Sequence, residues 1–162
     1  MSKGFRGVVT AALLLAPAVL IFGACGGPAG KEPAPREGAG AIEVTVRGFR
    51  NAEGEVLVSL FSAAPGFPND AERALRTRRV DAAVGTVTVR FEDVPYGEYA
   101  VSVLHDENAN GRLDTGRLGI PAEGYGASNN PGARFGPPRY KDAAFRLRED
   151  VLEVDIELRY ML

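Results

Sequence analysis

Leu152-Glu153-Val154-Asp155-Ile156-Glu157-Leu158-Arg159-Tyr160 alternates apolar and charged side chains without a break. A period of two is the period of a β-strand, whose successive side chains leave opposite faces. One face of this segment must be dry and the other wet, which places it in a sheet packed on a core from one side. The same signature recurs upstream. Ile42, Val44 and Val46 alternate with Glu43, Thr45 and Arg47; Val56, Val58 and Leu60 follow the turn Asn51-Ala52-Glu53-Gly54; Val87, Val89 and Phe91 form another set. Tyr99, Val101 and Val103 come after Pro95-Tyr96-Gly97, and Phe145 with Leu147 come later. Between Ala63 and Val84, Pro65 and Pro68 mark a loop, Asn69 or Asp70 can cap one helical turn, and Val80, Ala82 and Val84 allow a further strand. About seven short strands, no long helical period and turns rich in Gly and Pro predict an all-β fold. The expected form is an antiparallel β-sandwich of immunoglobulin-like or transthyretin-like type, with a small closed barrel as the alternative.

A chain of 162 residues, 45% hydrophobic and 25% charged, is of ordinary globular composition with room for one domain. The formal charge of −2 and the scattered basic residues argue against nucleic acid as a partner. Lys3 and Arg6 precede an apolar run from Val8 to Phe22, then Gly23, Ala24 and Cys25, the layout of a secretory signal over residues 1–24. The run is short for a membrane span and Pro17 interrupts it, so a transmembrane anchor is the weaker reading. Cys25 is the single cysteine and has no partner for an internal disulfide.

Ile21-Phe22-Gly23-Ala24-Cys25 resembles a bacterial lipobox, with Phe22 in place of the usual leucine. The resemblance implies a lipid on Cys25, export and anchoring to the cell envelope, and Gly26 implies transfer to an outer membrane. A plain signal-peptidase site is the competing reading. Cleavage before Cys25 removes Lys3 and Arg6 and no acid, leaving 17 basic against 21 acidic residues, a formal charge of −4. Residues 25–40, dominated by Gly, Pro and Ala after the cysteine, read as a tether holding a domain of residues 41–162 off the membrane.

Phe91 to Val101 resembles the turn before a core strand in transthyretin-like and collagen-adhesin B-type domains. A wider resemblance rests on Tyr99–Asp114 (YAVSVLHDENANGRLD), Leu118–Asn130 (LGIPAEGYGASNN) and Gly136–Phe145 (GPPRYKDAAF). Together these resemble the bacterial domain-of-unknown-function family 2141, over roughly Ile42 to Leu158. That resemblance implies a β-sandwich outside the cytoplasm and brings no activity with it.

The chemistry therefore has to come from the loop expected between Asp106 and about Arg139. Asp106, Asn108, Asn110 and Asp114 fall at positions one, three, five and nine of a calcium loop of the EF-hand type, with Gly111 at six and the Arg112 carbonyl at seven. Position twelve is Arg117 rather than an acid, and the flanks are strand and loop, so a helical EF-hand is excluded; Glu123 is the candidate substitute ligand. Magnesium fits less well, since it asks for stricter octahedral geometry and a phosphate ligand. The competing reading needs no metal, because Asp and Asn side chains cap backbone amides in turns.

His105 is the only histidine and shares parity with Tyr99, Val101 and Val103. It is expected to be a hydrogen-bonded residue at the core edge; one histidine cannot make a zinc set. An enzymatic alternative pairs it with Asp106 or Glu123 as general acid and base, without any recognisable nucleophile. Tyr125 with Asn129 and Asn130 is a candidate ligand face, the ring stacking on a sugar and the amides bonding its hydroxyls. The alternative is a loop packed on its own side chains. The sequence thus reads as an envelope binding or structural module with calcium as the expected cofactor and a glycan or an envelope protein as the candidate ligand.

Overall fold

The computed structural model describes residues 38–132 and 136–161, all within the compact unit Ala34–Leu162. The signal segment, Cys25 and the tether as far as residue 37 lie outside the described residues. Among the described residues no helix is long and apolar enough to cross a membrane.

The described residues form eight strands, one more than the periodicity predicts: β1 (Ala39–Arg47), β2 (Glu55–Phe61), β3 (Arg76–Asp81), β4 (Thr86–Pro95), β5 (Gly97–Asp106), β6 (Gly124–Ala127), β7 (Phe145–Leu147) and β8 (Val151–Glu157). They form a three-stranded sheet in the order β4-β1-β8 and a five-stranded sheet in the order β3-β2-β5-β6, with β7 also paired to β5. The first strand begins at Ala39, two residues before the alternation becomes visible in the sequence. Val44, Val46, Val56, Val58, Leu60, Phe91, Val101 and Ile156 meet between the sheets, all buried. These are the inward members of the alternating sets, so the core is the one that the period of two requires.

Four features depart from the sequence reading. The sandwich is not wholly antiparallel: β1 pairs with β8 in parallel, Ile42 opposite Leu152 and Val46 opposite Ile156. The strand expected to run through Val84 stops at Asp81, and Val84 lies exposed in the turn to β4. Its inward positions are taken instead by Arg76, Arg78 and Val80, opposite Leu60, Val58 and Val56. Arg76 donates from its guanidinium to the carbonyls of Glu92 and Asp93, which closes that side of the sandwich with polar contacts.

The third departure is that the central strands β2 and β5 of the five-stranded sheet are largely buried on both faces. Phe61, Phe67 and Tyr140 pack edge to face on its outer side at centroid separations of 5.3 and 5.8 Å, beside the buried Ala100, Ala127 and Ala143. This explains the near-continuous burial of β2 and β5. The segment covering that face includes a single 3-10 turn, Ala71–Arg73, whose first amides are capped by the Asp70 carboxylate at Glu72 N, as the sequence allows.

Fourth, the long loop after β5 is interrupted by β6, which lies along Ser102–His105. Gly-Tyr-Gly-Ala carries no apolar alternation, because two of its positions face the C-terminal strand at very short range. A Cβ on Gly124 would come within 2.5 Å of the Tyr160 ring, and one on Gly126 within 2.7 Å of Ile156 Cγ2. Tyr125 then exchanges both backbone hydrogen bonds with Arg159, at 3.0 and 2.9 Å, which ties the two sheets together on this side.

Register also sets the poles. Ala39 lies opposite Pro95, beside the β4–β5 turn, where Tyr99 O–H donates to the Pro95 carbonyl at 2.8 Å. Asp106 lies opposite Glu55, at the far end of β5. A ten-residue strand spans roughly 30 Å, so the chain enters the sandwich at the end remote from the Asp106 loop.

Candidate functional site

The last residues of β5 point to opposite faces, and this divides the site in two. Asp106, on the outer parity, turns its carboxylate into the loop that follows. Its Oδ1 accepts from Asn110 N at 3.0 Å and its Oδ2 from Gly111 N at 2.6 Å. Asn108 Oδ1 shares the Asn110 amide at 3.1 Å, and Asn110 Oδ1 accepts from Arg112 N at 3.0 Å. Across the loop, Asn108 Nδ2 donates to Asp114 Oδ2 at 2.6 Å. The side chain of Arg112 is exposed.

Glu123 completes the arrangement. It sits just before β6, buried to 4% exposure, with Oε1 accepting from Glu107 N at 3.0 Å and Oε2 from Asp114 N at 2.9 Å. One carboxylate thereby joins the two limbs of the loop. The pairing of β6 with β5 holds it there, and Ala122 N donates to the Asp114 carbonyl. Asp106, Asn108, Asn110, Asp114 and Glu123 are thus brought onto one loop, where the Asp106 and Glu123 carboxylates accept from backbone amides and that of Asp114 from the Asn108 side chain. Among the described residues no three His, Cys, Asp or Glu side chains gather on a common point for a metal. The geometry is Asx-turn chemistry of the kind that competes with the calcium reading.

His105, on the inner parity, is fully buried. Its Nε2 lies 2.8 Å from the Glu53 carbonyl, which can only accept, so Nε2 carries a proton. In the neutral ring Nδ1 then accepts from Tyr160 O–H at 2.7 Å, and Tyr160 Oη accepts in turn from Arg50 N at 3.3 Å. Phe49 packs edge-on against the imidazole at 5.3 Å. His105 is the hydrogen-bonded core-edge residue of the sequence reading. The acid–base pairing with Asp106 or Glu123 of the enzymatic alternative is absent from this arrangement, where both ring nitrogens bond Tyr160 and Glu53.

Above it lies a cluster that the sequence did not point out. The Arg50 guanidinium donates to both oxygens of Glu107, at 2.7 and 2.6 Å, and to the Ala122 carbonyl at 2.9 Å, while stacking 4.7 Å over the Tyr160 ring. The Arg50 hydrogen bonds hold the Glu107 carboxyl below the usual glutamate range, against the effect of burial and with help from the Asn51 amide. Burial pushes the Tyr160 phenol up. The β1–β2 connection, the start of the loop and the C-terminus meet here through residues 110 positions apart, a distance no local motif spans.

The candidate ligand face is divided. Tyr125 and Asn130 line a cavity of about 470 Å³ with Arg139, Asp142, Glu157 and Arg159. Asn129 instead donates to the Ala144 carbonyl at 2.8 Å. Asn130 commits its own amide to β8, donating to Asp155 O at 3.0 Å and accepting from Glu157 N at 2.8 Å. Both amides bond backbone groups of the protein itself, and charged side chains line the cavity beside Tyr125.

Comparison with curated proteins and with solved structures gives no match. A family profile described as "Uncharacterized protein conserved in bacteria (DUF2141)" matches residues 44–155, from the middle of β1 into β8 and across the whole Asp106 loop. By that match over most of its length, the chain belongs to the bacterial DUF2141 family.

Proposed function

We propose that this protein is an exported lipoprotein of the cell envelope, anchored through Cys25, whose β-sandwich is a binding or structural module with a calcium site in the Asp106–Asp114 loop. The observation that carries the calcium reading is the position of Glu123. Glu123 lies nine residues beyond Asp114 in sequence, yet its buried carboxylate reaches both limbs of a loop already lined by Asp106, Asn108, Asn110 and Asp114. A carboxylate has about four lone-pair directions. Each oxygen of Asp106 and Glu123 that accepts one amide therefore keeps capacity for a cation. Calcium tolerates irregular oxygen shells completed by carbonyls and water, and small rotations of Asp114 and Asn108, both at the surface, would bring further oxygens to bear.

The envelope reading rests on the signal layout and Cys25. The cavity beside Tyr125, with Arg139, Asp142, Glu157 and Arg159, is the proposed face for a polar ligand such as a glycan.

Calorimetric titration of the full-length chain with calcium tests the site. Saturating calcium at about a hundred times its dissociation constant should add roughly 2.7 kcal/mol of stability if the unfolded chain does not bind it. Identical melting in excess calcium and in chelator would show that amide capping alone holds the loop. Fractionation of Cys25→Ala tests the anchor: loss of membrane attachment is expected, and unchanged attachment without lipid label refutes it.

A further inference from the structure

An unpaired sheet edge is a template for another strand, and proteins usually blunt it. Two of the outer strands here, β3 and β6, are covered in identifiable ways. On β3, Arg76 and Arg78 occupy inward positions at the margin of the sheet, and Arg76 reaches across to the carbonyls of Glu92 and Asp93 on β4. The edge of β6 is closed by the backbone exchange between Tyr125 and Arg159.

The outer strand β8 is different. Ala41 N donates to Asp150 O and Leu158 N to Arg47 O, both at 2.8 Å. In a parallel ladder this phase turns the backbone groups of Asp150, Leu152, Val154, Ile156 and Leu158 toward β1. Those of Val151, Glu153, Asp155 and Glu157 turn to the other edge. At its C-terminal end that edge is occupied by the Asn130 side chain, whose amide bonds Asp155 O and Glu157 N as a neighbouring peptide would. Among the described residues no strand pairs with the remainder, from Val151 to the Asp155 amide. Val151, Glu153 and Asp155 are exposed there while Leu152 is half-buried and Val154 buried, and the edge carries no proline, lysine or bulge.

Its charge is one-sided. Glu149, Asp150, Glu153, Asp155 and Glu157 fall within nine residues. Asp155 engages Arg47 and Asp150 accepts from Tyr96 O–H; Glu153 and Glu157 have no such neighbour among the described residues. We propose that the Val151–Asp155 edge docks an extended segment of another protein, added beside β8 as a fourth strand of the sheet, with basic side chains at its outward positions and apolar ones inward. Main-chain hydrogen bonds supply the affinity and the alternating side chains the selectivity. The basic residues lie beside Glu153 and the apolar ones beside Leu152 and Val154. A second copy of this chain does not fit, because pairing β8 with itself sets carboxylates against carboxylates, and like charges across strands are destabilising. The proposal is independent of the calcium site, none of whose side chains lies on β8.

The test uses the full-length chain labelled with 15N and the capped peptide Lys-Val-Lys-Val-Lys-Val-Lys, with Lys-Lys-Lys-Lys-Val-Val-Val as the control of equal composition. The alternating peptide should bind at least tenfold more tightly than the control and should slow amide exchange at Val151 and Glu153. Glu153→Pro deletes one outward N–H without touching the ladder to β1 and should weaken binding at least tenfold. Glu153→Lys keeps the backbone and should weaken it as well, which covers the case in which the proline variant does not fold. Equal binding of the two peptides, or slowed exchange elsewhere but not at Val151 and Glu153, overturns the proposal. So does protection of the same amides by self-association without peptide.

Discussion

Replacing Glu123 by Gln asks how much the loop owes to amide capping. The carboxylate is buried and accepts two backbone hydrogen bonds, from Glu107 N and Asp114 N. Hydrogen bonds to a charged acceptor contribute about 1.5–3 kcal/mol each, and a buried donor left without a partner costs about 1–3 kcal/mol. Glutamine keeps one carbonyl oxygen and so retains one of the two bonds in neutral form. Its NH2 group faces the other amide, donor against donor. The expected loss is about 2–4 kcal/mol, which for a domain of this size lowers the melting temperature by roughly 8–15 °C. The assay is urea and thermal unfolding of the full-length chain in chelator, so that no cation contributes. Glu123→Gln within about 0.5 kcal/mol of wild type in chelator would refute the capping account of the loop. A normal stability in chelator combined with a lost calcium response would instead assign Glu123 to the metal alone.

Three further outcomes follow from the same geometry. Gly54→Ala should destabilise by about 2 kcal/mol or more, since the residue sits at φ +70° and its Cβ would meet the Asp106 carbonyl at 2.0 Å; equal urea midpoints would contradict this. Tyr160→Phe removes the hydroxyl that bonds the buried His105 Nδ1 and should cost about 1–3 kcal/mol, with faster exchange of the Arg50 amide as an independent sign. Glu107 has a folded pKa depressed chiefly by the Arg50 hydrogen bonds, so its contribution to stability is fully present above its unfolded value of about 4.3 and is lost as pH falls through the lower folded value. Arg50→Gln should flatten the stability profile in that acid window, and parallel curves for the two proteins would show that the pair contributes nothing.

The inward sets of β1, β2, β4, β5 and β8 were legible in the residues themselves, because a half-buried strand imprints a period of two on its own sequence. So was the oxygen-bearing loop, since Asp and Asn at alternate positions act on amides a few residues away. What lies across the fold was not legible. Alternation says which face of a strand is dry and is silent about its neighbour, so the parallel pairing of β1 with β8 could be decided only when both were packed on one core. β6 was hidden because close approach to Tyr160 and Ile156 demands glycine, which erases the apolar pattern that marks other strands. Arg50, Glu107 and Tyr160 are unremarkable apart; a salt bridge, a cation over a ring and a shared hydroxyl arise when three distant segments meet at one pole. The sequence determined which atoms could accept hydrogen bonds or charge, and the tertiary structure decided which donors reached them first.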